Sequence, residues 1–250
     1  MATEKTSPSR GVNSPEISIV FAYYDNPSML EFQWNQIAGY SPAVRRRIEV
    51  VVVDDASPQA PAVAVPRPKS LPDHRVYRIA KDIPWNQDAA RNIGAHEASA
   101  PWLLLTDIDH VVPEEALRGL LDMEKDQEVF YTLGRTKFFT DDVREPHPNS
   151  YVMTRDLYWA IGGHDEDYAG IYGKDYLFRE RALKQSREVH LSALRLARVG
   201  TTSIPDAGTT TITRRNTRLA TLRGYVLQGL KAMRLFRGVQ TLKAEYSRVV

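Results

Sequence analysis

Four short apolar runs mark the first half of the chain, and between them the apolar spacing changes. Ile17-Ser18-Ile19-Val20-Phe21-Ala22, Ile48-Glu49-Val50-Val51-Val52-Val53, Arg75-Val76-Tyr77-Arg78-Ile79 and Trp102-Leu103-Leu104-Leu105 read as strands. The second run is β-branched and almost wholly apolar, as suits a strand covered on both faces of a parallel sheet. After the first run, Asn26-Pro27 is a helix start, a cap followed by proline at the first position. Leu30, Trp34 and Ile37, with Phe32 beside them, give that helix an apolar face. A second helix spans 86–98, with Ala90, Ile93, Gly94 and Ala98 turned inward, and a third begins at Pro113-Glu114-Glu115.

The second half is less regular. Glu128 to Leu133 reads as a strand, 134–150 as a long polar loop containing Phe138-Phe139, Tyr151-Val152-Met153 as a short strand and Arg155 to Ile161 as a short helix. Then comes Gly162-Gly163-His164-Asp165-Glu166-Asp167 and, further on, Gly173-Lys174-Asp175, where a helix opens and runs to about Gln185. Strands alternating with helices give an α/β fold, a Rossmann-like doubly wound and mainly parallel sheet.

Ligands of such sheets gather outside the carboxyl ends of the strands. Three ends carry polar groups there: Tyr23; Asp54 and Asp55; Asp107 and Asp109. In an extended segment side chains i and i+2 point the same way. Asp107 and Asp109 would then form a hard-oxygen site for Mg²⁺ or Mn²⁺, with Ile108 turned to the core. The plainer reading is a strand end with solvated acids. No Gly-rich phosphate loop is present, which disfavours a dinucleotide or P-loop nucleotide reading.

Composition narrows this further. There is no cysteine, so disulfides and thiolate metal sites are excluded. No run approaches the ~18 apolar residues of a membrane span, and no secretory signal is visible. A cytoplasmic protein is expected, with 1–15, rich in Ser, Pro and Thr, as a disordered leader. The net charge is +2, yet residues 214–250 hold nine Lys/Arg against one acid, Glu245. Within them Leu219, Leu222, Val226, Leu230 and Met233 recur at helical spacing. The chain thus divides into the leader, an α/β domain over 16–213 and a basic amphipathic helical tail over 214–250. Three uses of the tail stand open: packing on its own domain, peripheral attachment to an anionic membrane surface, or contact with nucleic acid.

Five pieces in order, Ile17–Tyr24, Glu49–Ser57, Ala90-Arg91-Asn92-Ile93-Gly94, Leu103–Asp109 and Gly162–Asp175, resemble the GT-A glycosyltransferases, within them the inverting family 2 group. The second half is most similar to the galactosyltransferase-like members. The resemblance implies a sugar transferred from a nucleoside-diphosphate sugar, a UDP-sugar on family grounds, to a glycan, lipid-linked or other hydroxyl acceptor. It implies that Tyr23, Asp54 and Asp55 hold the nucleoside and that Arg91 lies near the phosphates. Asp107 would contact ribose or metal, Asp109 would ligate Mn²⁺ or Mg²⁺, and Asp175 would be the general base. His190 and His110 are the candidates for a further metal ligand. Asp165 and Glu166 would shape the acceptor side. The family's Gly-Glu-Asp reads Gly173-Lys174-Asp175 here, which hints at an anionic acceptor. Three competing functions remain: a catalytically silent GT-A module binding a glycan or partner, a nucleotidyltransferase, and a glycosyltransferase acting on modified DNA bases.

Overall fold

The computed structural model describes residues 14–137, 142–200, 204–205 and 218–250. The first half is a run of parallel βα units. β1 (Ile17–Tyr23) leads through α1 (Pro27–Ala38) and the short α2 (Pro42–Arg45) to β2 (Ile48–Asp54). β3 (Asp73–Ile79), α3 (Gln87–Glu97) and β4 (Trp102–Asp107) follow. Their order in the sheet is β3-β2-β1-β4, every pair parallel. α1 starts as its sequence requires: the Asn26 side chain accepts from the Met29 N–H at 3.3 Å and Pro27 occupies the first turn. It buries Met29, Leu30, Gln33, Trp34 and Ile37, while Phe32 is only partly covered.

The second half extends the same sheet. It contains β5 (His110–Val111), α4 (Glu114–Asp122), β6 (Val129–Lys137), β7 (Val143–Arg144), β8 (Tyr151–Thr154), α5 (Arg155–Ala160), α6 (Tyr176–Gln185) and β9 (Arg187–Arg198). α7 (Arg218–Ala232) and β10 (Tyr246–Arg248) end the chain. The full order is β10-β3-β2-β1-β4-β8-β6-β9-β5, with β7 paired to β6. One apolar core lies under α1, α2 and α4, the other under α3, α5 and α6. This is a GT-A fold.

Three expectations are corrected. The loop drawn over 134–150 is in part sheet, because β6 runs on to Lys137 and β7 pairs back on it; Phe138-Phe139 lies outside the described residues. The long strand β9 was not expected. Its alternation is broken by a register shift opposite Leu133/Gly134, where Leu191 pairs with Leu133 and Arg195 with Gly134. Gly134 fits the bulge, since a Cβ there would lie 2.8 Å from the Ser192 carbonyl oxygen. Finally, the tail is not helical throughout. Past Ala232 the chain is irregular, then β10 pairs antiparallel with the outer edge of β3. Arg214 and Arg215 lie outside the described residues.

Two close fits hold the parallel strands in place. Glu49 sits fully buried inside the apolar run of β2. It accepts from the Ser18 hydroxyl, the Ser99 N–H and hydroxyl, the Ala100 N–H and the Arg75 guanidinium, and so ties β1, β2, β3 and the turn before β4. Burial pushes its carboxyl up, but these donors outweigh burial and hold it below the usual range. The second fit is α3 on β1. A Cβ added to Gly94 would lie 2.3 Å from Val20 Cγ1, and Val20 is a buried β-branched side chain with no room to move. Gly94→Ala should therefore destabilise the protein by about 1–3 kcal/mol, overpacking outweighing the gain in helix propensity. Urea unfolding checks this; an unchanged or raised midpoint would contradict the close approach.

Candidate active site

β1, β2 and β4 end side by side, with Tyr23 opposite Asp54 and Ala22 opposite Asp107. Asp107 is the last residue of β4, and the chain turns at Ile108 and Asp109 instead of staying extended. Gln33 fixes this turn, donating to the carbonyls of Ile108 (2.7 Å) and His110 (3.0 Å), while the Ile108 side chain enters the core. The two carboxylates therefore have different neighbours. Asp107 accepts from Gln87 Nε2 at 2.6 Å and from Arg91, both on α3. Asp109 lies 2.7 Å from His110 Nδ1 and 3.7 Å from Arg198 Nε. The parallel, same-facing pair expected from an extended strand is replaced by two carboxylates on either side of a turn.

Arg91 is a fully buried guanidinium, 1% exposed. Its ion pair with Asp107 joins the first turns of α3 to the end of β4. Asn92 carries the link onward: its Nδ2 donates to the His164 carbonyl (2.8 Å) and Glu166 Oε1 (2.7 Å), and its Oδ1 accepts from the His164 N–H (2.9 Å) and the Tyr158 hydroxyl (2.6 Å). The Tyr158 hydroxyl has one hydrogen, given to Asn92, so His164 Nδ1, 2.9 Å away, is the donor to it. His164 Nε2 is then left to accept from Arg91, 3.4 Å away. Burial keeps this imidazole neutral, and the Arg91 charge adds to the effect. Burial pushes the Asp107 carboxyl up, but Arg91, His147 and His110 outweigh it and hold it below the usual range.

Asp175 stands where a cap of α6 would be, yet it does not cap. Its backbone is helical (φ −57°, ψ −33°) and its side chain accepts no hydrogen bond from the helix. Instead, Oδ2 accepts from Asn149 Nδ2 at 3.1 Å. Burial raises its carboxyl; Arg91 works against that and Asp107 reinforces it, so Asp175, Arg91 and Asp107 share one electrostatic neighbourhood. Asp88, on the first turn of α3, is pushed well up by burial and by the charge of Asp175. Trp85 and Tyr172 meet edge to face close by, ring centroids 4.6 Å apart. Trp85 is held at φ +48°, a conformation a bulky residue rarely adopts and one that tends to mark functional sites.

Among the described residues of the crevice, those able to hold a metal are Asp107, Asp109 and two histidines, His110 and His147. His147 Nε2 lies 3.4 Å from Asp107 Oδ2, and its ring packs tilted against that of His110, centroids 4.1 Å apart. Burial lowers His147 to about 4 despite Asp107, so it is neutral near pH 7 and able to ligate. His190 instead lies beside Thr132 on β9, Nδ1 to Oγ1 3.2 Å. Among the described residues, no three His, Asp or Glu side chains are assembled at metal-binding spacing. Two carboxylates without a closed cage suit Mg²⁺ or Mn²⁺, which take substrate phosphate oxygens for the rest of their shell.

Several of the expected contact residues have partners within the fold. The Tyr23 hydroxyl donates to the Ala60 carbonyl at 2.5 Å and its ring lies in the core. Asp54 is saturated by the N–H groups of Ser57 (2.7 Å) and Ala62 (2.8 Å) and by Arg78 (2.9 Å), and so shapes the turn after β2. Asp55 accepts from the Asn86 N–H at 3.2 Å at the head of α3. Asp165 and Glu166 are buried and serve the chain's end, not an open acceptor face. Asp165 receives Lys231 (2.7 Å) and the Gln240 N–H (3.1 Å); Glu166 receives the N–H groups of Leu242 (2.6 Å) and Lys243 (2.8 Å). Lys174 is buried, donates to Gln228 Oε1 at 2.9 Å and lies 4.1 Å from the Tyr225 ring centroid. Its charge anchors α7, so it no longer argues for an anionic acceptor. His147, Gln87 and Asn149 were not singled out from the sequence. Asp88, one helical turn before Arg91, has the spacing of an ion-pair partner for it, but Arg91 pairs with Asp107 instead.

The model of glycosyl transferase family 2 matches residues 18–185. No curated protein sequence matches the chain. Among solved structures it is similar to residues 1–349 of TarS from S. aureus, at 16% identity and TM-score 0.60, covering 72% of this chain and 59% of that one. It is also similar to GalNAc-T7 solved with UDP, GalNAc and Mn²⁺, at 14% identity and TM-score 0.61, covering 84% and 47%. A third is the mannosyltransferase PcManGT from Pyrobaculum calidifontis with GDP-Man and Mn²⁺, at 16% identity and TM-score 0.56, covering 93% and 70%. The chain thus spans about half to three-fifths of the first two. With the strand order, the acidic strand ends and a match over most of its length, the chain belongs to glycosyl transferase family 2.

Proposed function

We propose that the chain is an inverting glycosyltransferase that moves a hexosyl group from a nucleoside-diphosphate sugar to an acceptor hydroxyl, with Asp175 as general base. The observation that carries this is the state of Asp175: it is released from capping, raised by burial and set beside the Arg91–Asp107 pair. The acceptor oxygen forms a bond to the anomeric carbon as the bond from that carbon to the diphosphate breaks. Asp175 takes the acceptor proton, with Asn149 orienting its carboxylate. Arg91 orients Asp107 at the donor side. Asp109, with Asp107 and His147 beside it, would hold Mn²⁺ or Mg²⁺. When bound there, the ion supplies Lewis-acid stabilisation of the diphosphate's charge. Asp55 is the residue of the second strand end that faces α3 and is assigned to the nucleoside. UDP is the preferred nucleotide of this reading: two neighbours were solved with UDP or UDP-GlcNAc, while PcManGT carries GDP-Man.

The silent-module reading loses its support, since Lys174 has a packing role of its own. No described helix is long and apolar enough to cross a membrane. Placement in the cytoplasm, at most peripheral to a membrane, is part of this proposal.

Asp175→Asn should lower turnover by ~10²–10⁴-fold and leave UDP affinity unchanged. Steady-state rates and calorimetry on the same preparations read both; turnover within a few-fold of wild type would move the base elsewhere. The pH profile gives an independent check. A base must be deprotonated, so activity rises with pH through the raised Asp175 value, and the acid limb of kcat/KM should lie above the ordinary aspartate range. On stability the same shift has the opposite sense. A carboxyl raised by folding favours the fold below its unfolded pKa, and that contribution is lost as pH rises through the folded value. A limb at the ordinary aspartate value would count against a buried base. Asp109→Ala should abolish the Mn²⁺-dependent part of UDP affinity with the fold retained. Equal wild-type UDP affinity with and without Mn²⁺ would remove the metal from the account.

A further inference from the structure

The apolar stripe of α7, Leu219, Leu222, Val226 and Leu230 with Met233 just beyond, has the spacing that ordinarily faces a core. Here it faces outward. The helix docks through its two buried residues, Gly224 and Leu227. A Cβ on Gly224 would lie 2.7 Å from Ile171 Cγ2 and 3.0 Å from Lys174 Cε, and Leu227 packs with Tyr168 and Ile171. At 3.6 residues per turn these two positions stand roughly opposite Leu222 and Val226. Leu219, Leu222, Val226 and Met233 are accordingly 76%, 60%, 55% and 61% exposed, and Leu235 and Phe236 are exposed after the helix. Leu222, Val226, Leu230 and Phe236 also line a cavity of about 750 Å³ with Pro84 and Gly170. Trp85 follows Pro84, and its carbonyl accepts from the Gly170 N–H at 3.0 Å, so the cavity borders the crevice. No Asp or Glu occurs between Arg218 and Phe236. Arg218 and Arg223 stand on either side of the stripe. With Arg234 they are exposed and have no ion-pair partner among the described residues. Lys231 and Arg237 differ, being held by Asp165 and Asp167.

We propose that the outer face of α7 docks the protein on an anionic lipid bilayer, with Leu219, Leu222, Val226 and Met233 entering the headgroup boundary and Arg218, Arg223 and Arg234 meeting lipid phosphates. The outward stripe is the carrying observation, because a helix packed only on its own domain would turn those residues inward. Charge complementarity selects the occupant. A second copy of the chain would bring the arginines against their own image, with no carboxylate on the face to receive them. A nucleic acid would meet the cations and leave the stripe in water. An anionic bilayer takes both, apolar side chains at the acyl boundary and guanidinium groups among the head groups. The bordering cavity then sets the crevice beside the lipid surface. This deepens the peripheral placement proposed above and needs no transfer chemistry, so docking and the glycosyl-transfer reading can fail separately.

The test is flotation of the full chain with vesicles of phosphatidylcholine alone and of phosphatidylcholine with phosphatidylglycerol in equal parts. The chain should float with the anionic vesicles, and far less with the neutral ones or in about 1 M sodium chloride, where charge is screened within a few ångströms. Leu222→Asp and Val226→Asp should each weaken binding to anionic vesicles about tenfold or more, by removing a buried apolar group and adding a repelled charge. Arg223→Gln and Arg234→Gln should each weaken it about fivefold. All four positions are exposed, so the unfolding midpoint and UDP affinity should not change. Leu222→Trp supplies a reporter, whose emission should shift to the blue with anionic vesicles only. Four results would overturn the proposal. They are no flotation with anionic vesicles, flotation unchanged in both Asp variants, a vesicle-free dimer that Leu222→Asp dissociates, and duplex DNA displacing the vesicles while bound equally by Leu222→Asp and wild type. The third would give the face to a second copy, and the fourth would give it to nucleic acid.

Discussion

The ion pair between the buried Arg91 and the partly buried Asp107 is the contact on which the arrangement of the candidate site depends. One partner belongs to the first turns of α3, the other to the last residue of β4. The Arg91 charge could not be left alone at that depth, since removing the partner of a buried charge costs about 3–5 kcal/mol, whereas Asp107 is only partly buried. The pair therefore fixes where the head of α3 sits against the strand ends. Asn92, the next residue, passes the constraint to His164 and Glu166, and Asp55 holds the Asn86 N–H from the other side. Asp175 then lies in a field already set by Arg91 and Asp107. The closeness of Gly94 to Val20 makes this docking possible, because a helix carrying any side chain there would stand further from the sheet.

The C-terminal segment closes the same loop from outside. Lys231, Arg237 and Lys243 converge on Asp167, and Lys231 also reaches Asp165. Burial pushes the Asp167 carboxyl up, but Arg237, Lys243 and Lys231 together hold it well below the usual range. Lys174 binds Gln228 from beneath, and β10 then joins the edge of β3. An acidic body and a basic tail are thus, in part, one internal set of ion pairs. The outer face of α7 keeps Leu219, Leu222, Tyr225 and Val226 exposed.

The first four strands, α1, α3 and the GT-A fold were legible because their signals are local: uninterrupted apolar runs, a cap with proline, a 3.6-residue period. β9 was hidden because three residues inserted at its bulge break the alternation. β10 was hidden because three residues at a sheet edge carry no periodicity. Asp107, Arg91 and Asp175 were picked out by place and order, and the structure brings them into one neighbourhood. Tyr23, Asp54, Asp165 and Glu166 had the same polar look, yet their side chains are saturated by backbone N–H groups, carbonyls or tail lysines that no linear pattern shows. His147 sat in a polar loop without periodicity, and only the fold brings it to Asp107.

In the proposed reaction Asp175 is the proton acceptor in a single displacement, with no covalent glycosyl intermediate. Its most direct measurement is the anomeric configuration of the first-formed product, followed by proton NMR from a UDP-sugar of defined α configuration. A β-configured product, appearing before any mutarotation, is what a single displacement with Asp175 as base requires. An α-configured product would mean retention, and would contradict both the role of Asp175 and the reading of the crevice built around it.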